Sequence, residues 1–298
     1  YNNVSPGSGL GYLYVVDAVT GALLPNSKIA TSAGSTGTPS NLGKINAWVD
    51  DDRVGVAARV YGGDMLGNIW RFDFDDNLAP TGKEAMLLGH TGSNQPITTK
   101  PALTEIIEGN YKYPVVTVAT GRYLGTSDVG DSSLQSIYTI KDDLTTTGLG
   151  ALRSNAGIIK QTLGADRVSL VNGSTISWAT QKGWYVDLSL SSGERVNVDF
   201  DQQLNQLIVA SNIPTPTVCS SSGTGWLYFL DVGTGRPLKA YAISTMIVGI
   251  RNIVTTTGQQ VTEVSGGDGG IPSPKQGAEL SSSSAGTLRR ISWRELMN

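Results

Sequence analysis

One histidine and one cysteine stand in 298 residues, and each scarcity removes a class of function. A lone His90 excludes a histidine-cluster zinc site and leaves a single candidate for a Ser–His–Asp arrangement. It stands in the polar turn LLGHTGSN, and the chain has no G-x-S-x-G elbow, so its residues read as loop packing rather than chemistry. Cys219, in TVCSSSG, cannot close a disulfide by itself and reads as a free thiol in a loop; a bridge would need another chain or a missing region. Charged residues make up only 16% of the chain, a value common among exported β proteins, and the net charge of −3 gives no basic footprint for nucleic acid. No apolar run reaches the roughly 18 residues of a membrane helix. Neither Gly43-Lys44 nor Gly82-Lys83 continues as a phosphate-binding P-loop. The chain opens on Tyr1 rather than Met, which leads us to expect the C-terminal piece of a larger, exported protein whose N-terminal part is absent.

What is abundant is glycine, 37 residues, with many Ser and Thr, the composition of short strands joined by tight turns. Two stretches are nearly the same text: GYLYVVDAVTG at 11–21 and GWLYFLDVGTG at 225–235. Worn copies read GNIWRFDFDDN at 67–77, QSIYTIKDD from 135 and GWYVDLSLSSG at 183–193. The first half of the frame has large apolar residues on both faces, which predicts a strand covered on both sides. The seventh-position Asp is expected to accept backbone N–H groups of the following turn. The closing Gly21, Gly193 and Gly235, replaced by Asn77 in the second copy, predict a left-handed residue.

A repeated strand-and-turn unit across one chain predicts an all-β fold, a β-propeller forming a single domain over residues 1–298. Frame starts at 11, 67, 135, 183 and 225 are spaced 56, 68, 48 and 42 residues apart, against roughly 40–45 residues for a propeller blade. The last two spacings fit one blade each. The first two imply insertions or an extra blade, for which PVVTVATGRYLG at 114–125 is the candidate. About seven irregular, quinoprotein-like blades with long loop insertions are expected. The Gly/Ser/Pro-rich run at 265–287 reads as a long surface loop, and TLRRISWREL as a final strand completing the blade begun near the N-terminus. GGDGG at 266–270, a single copy of a calcium-turn-like motif, reads as a plain loop.

No residue is a candidate for catalysis. The acidic run DDDRVGVAA at 50–58 is the one metal candidate. Calcium takes clustered carboxylate and carbonyl oxygens in a short loop with a Gly at the sharp turn. Asp50 and Asp52 hold positions one and three of such a nine-residue loop, and Gly55 holds position six. Val54 and Ala58 stand where carboxylates would be needed, so the residues alone read as a solvated acidic turn. Asp73, Asp75 and Asp76 form a second acidic cluster, explained by the frame Asp and turn residues.

VYGGDMLGNIWRFDF at 60–74, ATGRYLG at 119–125, GWYVDLSLSSGER at 183–195 and RISWREL at 290–296, with NAWVD before the acidic run, together resemble the C-terminal propeller of the PilC/PilY family of type IV pilus tip proteins. The resemblance runs over nearly the whole chain, and Y-x-G-D-x-x-G-N-[IL]-W-[RK]-F-D is its most specific part. It implies a non-enzymatic pilus assembly factor and tip adhesin that supports extension and opposes retraction. It places such a protein at the pilus tip, the cell surface, the outer membrane or the periplasm, with minor pilins and a host or abiotic surface as partners. It also implies a calcium loop before the Y-x-G-D strand, matched by Asp50 and Asp52 side chains and the Val56 carbonyl, with Val54 and Ala58 departing from the pattern. Two alternatives share the propeller. A quinoprotein dehydrogenase would use a similar D-x-x-T-G frame, but no quinone is expected in a chain with one cysteine and a thinned acidic loop. A structural scaffold of an outer-membrane assembly complex is the other.

Overall fold

A computed structural model of the chain describes residues 7–50, 55–73, 84–215, 223–254, 260–270, 275–276 and 289–290. Five sheets follow one another along it. A hairpin comes first, β1 (Tyr12–Val16) with β2 (Leu23–Ala30). A four-stranded antiparallel meander follows: β3 (Ile45–Val49), β4 (Ala57–Gly63), β5 (Asn68–Asp73) and β6 (Ala85–His90). The third sheet holds β7 (Ala102–Glu108), β8 (Tyr111–Ala119), β9 (Ser136–Lys141), β10 (Ile158–Gln161) and β11 (Gly183–Asp187). In it β11 pairs antiparallel with β9 and parallel with β10. The fourth is the meander β12 (Asp201–Gln203), β13 (Gln206–Pro214), β14 (Gly223–Asp231) and β15 (Pro237–Ile243). The fifth holds β16 (Ile247–Val254), β17 (Gln260–Gly266) and β18 (Lys275–Gln276). A short β19 (Arg289–Arg290) pairs with β7.

The two-residue period of a strand explains why the sheets stack. Along β14, Leu227 and Phe229 enter the core shared with the fifth sheet, while Tyr228 and Leu230 enter the core shared with the third. Along β5, Ile69 faces the third sheet, and Trp70 and Phe72 face the first hairpin. Each of four hydrophobic clusters thus fills the space between two sheets adjacent in the chain. This is the blade packing of a β-propeller, as the repeat implied.

The frame copies mark particular positions in these sheets. Those at 67, 135 and 225 begin β5, β9 and β14, each the third strand of its sheet in chain order. The copy at 183 is β11, which lies beside β9 in the same sheet. It therefore does not open a blade of its own, because the 41 residues between β9 and β11 are an excursion within one blade. The segment at 114–125 likewise belongs to that sheet, as most of β8. The described residues supply five sheets where about seven blades were expected. Of the expected C-terminal strand only Arg289–Arg290 is described, and it pairs with β7, Arg289 opposite Glu105.

Identical letters receive different surroundings in the twin frames. In both, the Asp organises the turn: Asp17 Oδ1 accepts from Val19 N, Thr20 N and Thr20 Oγ1, and Asp231 Oδ1 accepts from Thr234 Oγ1 at 2.8 Å. Gly21, Gly193 and Gly235 are all left-handed, with φ of 70°, 74° and 71°. The second turn is built into the neighbouring sheet. The indoles of Trp184 and Trp178 donate to Val232 O and Gly233 O, each at 2.9 Å, and a Cβ on Gly235 would sit 2.5 Å from Trp184. The first turn is bare, with nothing near Gly21 and Val19 93% exposed. Strand β1, expected to be covered on both sides, buries Leu13 but leaves Tyr14 50% and Val16 52% exposed. Among the described residues β2 is its one hydrogen-bonded neighbour.

The described part of the motif, 60–73, is scaffold. The Asp64 carboxylate, fully buried, accepts five hydrogen bonds, from Ser40 Oγ at 2.7 Å and from Leu66 N, Asn68 N, Asn68 Nδ2 and Trp70 Nε1 at 2.9 Å. These close the β4–β5 turn, where Gly67 takes φ of 79° and a Cβ would lie 2.3 Å from Gly92 O. Arg71 binds Asp73 and reaches Asp142 of the next sheet at 2.7 Å, whose other oxygen accepts from Tyr61 at 2.7 Å. A third clamp joins Arg153, Lys160 and Ser136 to Asp187, with Arg153 Nη1 at 2.7 Å and Lys160 Nζ at 3.1 Å. A fourth sets Arg167 between Glu194, Tyr228 and Ser191.

Replacing Asp64 by Ala leaves five donors without their acceptor. Unmatched buried donors cost about 1–3 kcal/mol each, and partial relaxation leaves an expected loss of about 3 kcal/mol or more, read by denaturant melts. The clamps also set a pH dependence. Burial alone would raise the Asp187 carboxyl, but hydrogen bonds from Arg153, Ser136 and Lys160 outweigh it and hold it below the usual carboxylate range. Its contribution is therefore present above the unfolded pKa of about 3.9 and is lost as pH falls through the lower folded value. Asp187→Asn should cost about 2 kcal/mol at pH 7, because its partners are partly exposed and screened, and the gap to the parent should shrink below about pH 4. Burial pushes Asp73 up instead, so this carboxyl contributes with the opposite sign as acid is added.

Candidate functional site

Two places concentrate polar groups at the surface. The first is the turn between β3 and β4, where the acidic run lies. In register, Trp48 stands opposite Arg59, and both are buried. The Arg59 guanidinium lies 5.4 Å from the Trp48 ring. Asp50, just past β3, turns one oxygen back onto this pair: Oδ1 accepts from Trp48 Nε1 at 2.8 Å and from Arg59 Nη2 at 3.1 Å. The pair joins a side chain 6% exposed on arginine to one 62% exposed on aspartate. Burial works against the charge of Arg59, but the Tyr61 phenol and the Asp50 carboxylate more than offset it, so its pKa stands above the ordinary arginine value.

Of the three calcium candidates, Asp50 is bound to arginine and tryptophan, Val56 is exposed at the entry to β4, and Asp52 lies outside the described residues. Gly55 is left-handed at φ of 66°, as a sharp turn requires. Ala58, at the ninth position, is buried within β4. Among the described residues no three carboxylates, histidines or cysteines gather in a way that could hold a metal. Calcium wants six to eight oxygens; the described part of the loop offers one carboxylate, already shared with a guanidinium, and residues 51–54 lie outside the described residues. Sequence reading missed Arg59. The available signal was the hairpin itself: pairing NAWV with AARV antiparallel across the acidic run brings an arginine beneath it.

The other sequence candidates resolve quickly. His90 ends β6, and its backbone N–H donates to Gly150 O at 2.9 Å. GGDGG is a turn closed on itself, with Gly266 N donating to Gly270 O and Gly270 N to Asp268 Oδ1, both at 2.9 Å. Cys219, Asp75, Asp76 and Asn77 lie outside the described residues.

The second place is a cleft where four strands start. One part, of about 470 Å³, is lined by Lys44, Tyr123, Asp199, Met246 and Val248 among others, and an adjoining part of about 260 Å³ by Asn46, Lys100, Phe200 and Asp201 among others. Apart from Tyr123, these residues stand around the starts of β3, β7, β12 and β16. Asp199 ties three of the sheets, accepting from Lys44 Nζ at 2.7 Å and Lys100 N at 3.0 Å. Asn212 fixes the start of β16, donating to Ile247 O at 2.8 Å and accepting from Ile247 N at 2.7 Å. Tyr123 is brought to the rim by a loop wrapped around Arg195, whose guanidinium donates to the carbonyls of Arg122, Asp128 and Asp131. No sequence motif marks the cleft, because its lining comes from four separate strand starts. Chemically it offers mixed charge and an apolar patch at Val248, a surface suited to contact with another protein.

Comparison with known proteins places this architecture. A Xylella fastidiosa type IV pilus biogenesis factor PilY1 homolog is 28% identical over 322 aligned positions, covering 96% of this chain and 24% of that protein. A second Xylella fastidiosa homolog of the same name is 26% identical over 258 residues, 78% of this chain and 17% of the relative. The Pseudomonas aeruginosa type IV pilus biogenesis factor PilY1 is 25% identical over 271 residues, 75% of this chain and 23% of its own length. The chain thus spans between about a sixth and a quarter of these relatives. The crystal structure of the Pseudomonas aeruginosa PilY1 C-terminal domain superposes with a TM-score of 0.68 at 20% identity, over 87% of this chain and 65% of that one, which supports the fold. The family model described as the PilY1 beta-propeller domain matches residues 1–175, and with more than half of its length inside that match this chain belongs to the PilY1 β-propeller family.

Proposed function

We propose that this chain is a non-enzymatic assembly and adhesion domain of a type IV pilus, working outside the cell at the pilus tip. Minor pilins are its partners, and a host or abiotic surface is its target. The observation that carries the reading is where the motif's chemistry is spent. Asp64, Arg71, Asp73 and Asp187 are all buried and bound to their own scaffold, and the named relatives are pilus biogenesis factors. What a propeller has left for function is its loops and strand ends. The strand-start cleft is the surface we assign to pilus contact. Its lysines, Lys44 and Lys100, are exposed, and the Lys44–Asp199 pair is open to water, as suits a reversible partner.

The quinoprotein alternative rests on the same D-x-x-T-G frame. The frame carboxylates Asp17 and Asp231 are already taken by their own turns, which favours the pilus reading. The two remaining readings separate in cells. Removing these residues from the intact protein should abolish surface pili while outer-membrane protein levels stay normal. Normal piliation with a fall in outer-membrane proteins would support the scaffold reading instead. At finer scale, Val248→Glu together with Lys100→Glu should shift stability by no more than about 0.5 kcal/mol, as surface changes do, yet reduce piliation severalfold. Unchanged piliation would move the contact surface elsewhere.

A further inference from the structure

In the strand-start cleft the carboxylates are occupied and the ammonium groups are open. Asp199 accepts at both oxygens, from Lys44 Nζ at 2.7 Å and from Lys100 N at 3.0 Å. Asp201 also accepts at both, from Gln202 N at 2.8 Å and Asn252 Nδ2 at 2.7 Å. The Lys100 side chain is exposed, and its ammonium meets no acceptor among the described residues. Lys44 touches Asp199 while its side chain stays 61% exposed. An incoming carboxylate therefore finds donors, whereas an incoming cation finds carboxylates already turned onto the protein's own groups.

The same cleft holds an apolar side chain outward. Ile247 pairs with Gly266 and Gly249 with Ser265, so Val248 is the extra residue of a β-bulge. A bulge re-aims a side chain out of the strand's alternation, and Val248 is 62% exposed. The backbone around it is pinned. The buried Asn212 side chain donates to Ile247 O at 2.8 Å and accepts from Ile247 N at 2.7 Å, and Gly267 N donates to Met246 O at 2.7 Å. A side chain already fixed in place loses little entropy when a partner packs on it.

We propose that the cleft takes an acidic, apolar peptide segment of the partner protein. A carboxylate of that segment sits on Lys100 and Lys44, and a nearby aliphatic or aromatic side chain packs on Val248. The two adjoining spaces, of about 470 and 260 Å³, match a few side chains of an extended segment. An anionic glycan would satisfy the lysines but leave Val248 in water. The proposal rests on the reading of this cleft as the pilus contact surface, and adds to it the chemistry of what docks there.

The test is selection of random peptides of about twelve residues, displayed on phage, on the 298-residue chain, followed by fluorescence polarisation with the recovered sequences. These should combine Asp or Glu with Leu, Ile, Val or Phe a few positions away. Val248→Ser should weaken their binding about tenfold, as expected for losing one buried aliphatic contact. Lys100→Glu should weaken it about fivefold, and the gap to the parent should narrow between about 0.1 and 1 M salt. Lys100→Arg should bind like the parent, and selection on Lys100→Glu should shift towards basic sequences. Melts should match the parent; where one does not, the composition recovered by the parent decides. Recovery of basic or uncharged peptides by the parent would overturn the proposal, as would binding indifferent to both Val248→Ser and Lys100→Glu. So would recovery of no peptide, and a heparin oligosaccharide bound through Lys100 alone would then assign the cleft to a glycan. The pilus reading fails separately: acidic, apolar peptides recovered as expected, with normal piliation in the Val248→Glu, Lys100→Glu variant, would keep the peptide site and remove its pilus role.

Discussion

The structure depends on one carboxylate accepting five hydrogen bonds. Asp64 is fully withdrawn from water, and every oxygen contact it makes is to a neutral donor. Burying a carboxylate costs several kcal/mol unless its lone pairs are matched, and here the turn supplies the match. Two of the donors are backbone groups of the turn, one is the side-chain amide of Asn68, one is the indole of Trp70, and one is Ser40, from the segment leading into β3. The carboxylate thus fixes at once the β4–β5 connection, the placement of Trp70 in the core beneath the first hairpin, and the approach of the chain to β3. Shift it, and the Arg71–Asp142 clamp that begins three residues after Asn68 loses its register to the next sheet.

From that point the sheets are joined by a common device. Apolar residues alternate between two cores along each inner strand, and an arginine, buried at Arg71 and Arg167 and exposed at Arg153, spans the interface or braces the edge beside it. Arg71 reaches Asp142, Arg167 reaches Glu194 and Tyr228, and Arg153 holds Asp187. Arginine suits this task because its fork binds two acceptors in fixed geometry and its charge survives burial. The same residue type under the acidic turn, Arg59, extends the device to the surface. A family whose most specific motif reads like a binding loop uses that motif here to hold blades together.

Much of this was legible in the text, and the failures have physical causes. The frame announced strands and left-handed turns correctly, since a two-residue period and a glycine at positive φ are local properties. It could not say which strand of a sheet each copy was. Residues 183–193 carry the frame's letters, yet β11 lies beside β9, because pairing is decided across 41 residues of intervening chain that no local pattern describes. The twin frames show the same limit. Tyr14 and Tyr228 are equivalent in sequence, one half exposed and the other buried under Arg167, because burial depends on which sheet lies alongside. At the candidate sites, Asp50 was visible as an acidic residue, whereas its partner Arg59 became visible only through hairpin register. The cleft had no signal, its lining being gathered from four distant strand starts.

The central claim is that residues 60–73 are structural and lie at the most protected level of the fold. Native-state hydrogen exchange resolved to single amides tests it directly, since protection separates core structure from binding loops. The amides of Leu66 and Asn68, both donating to Asp64, should exchange as slowly as those of β8 and β14. Exchange of these two amides at the rate of the open Asp17–Gly21 turn would contradict the account, and would return the motif to the class of mobile binding loops.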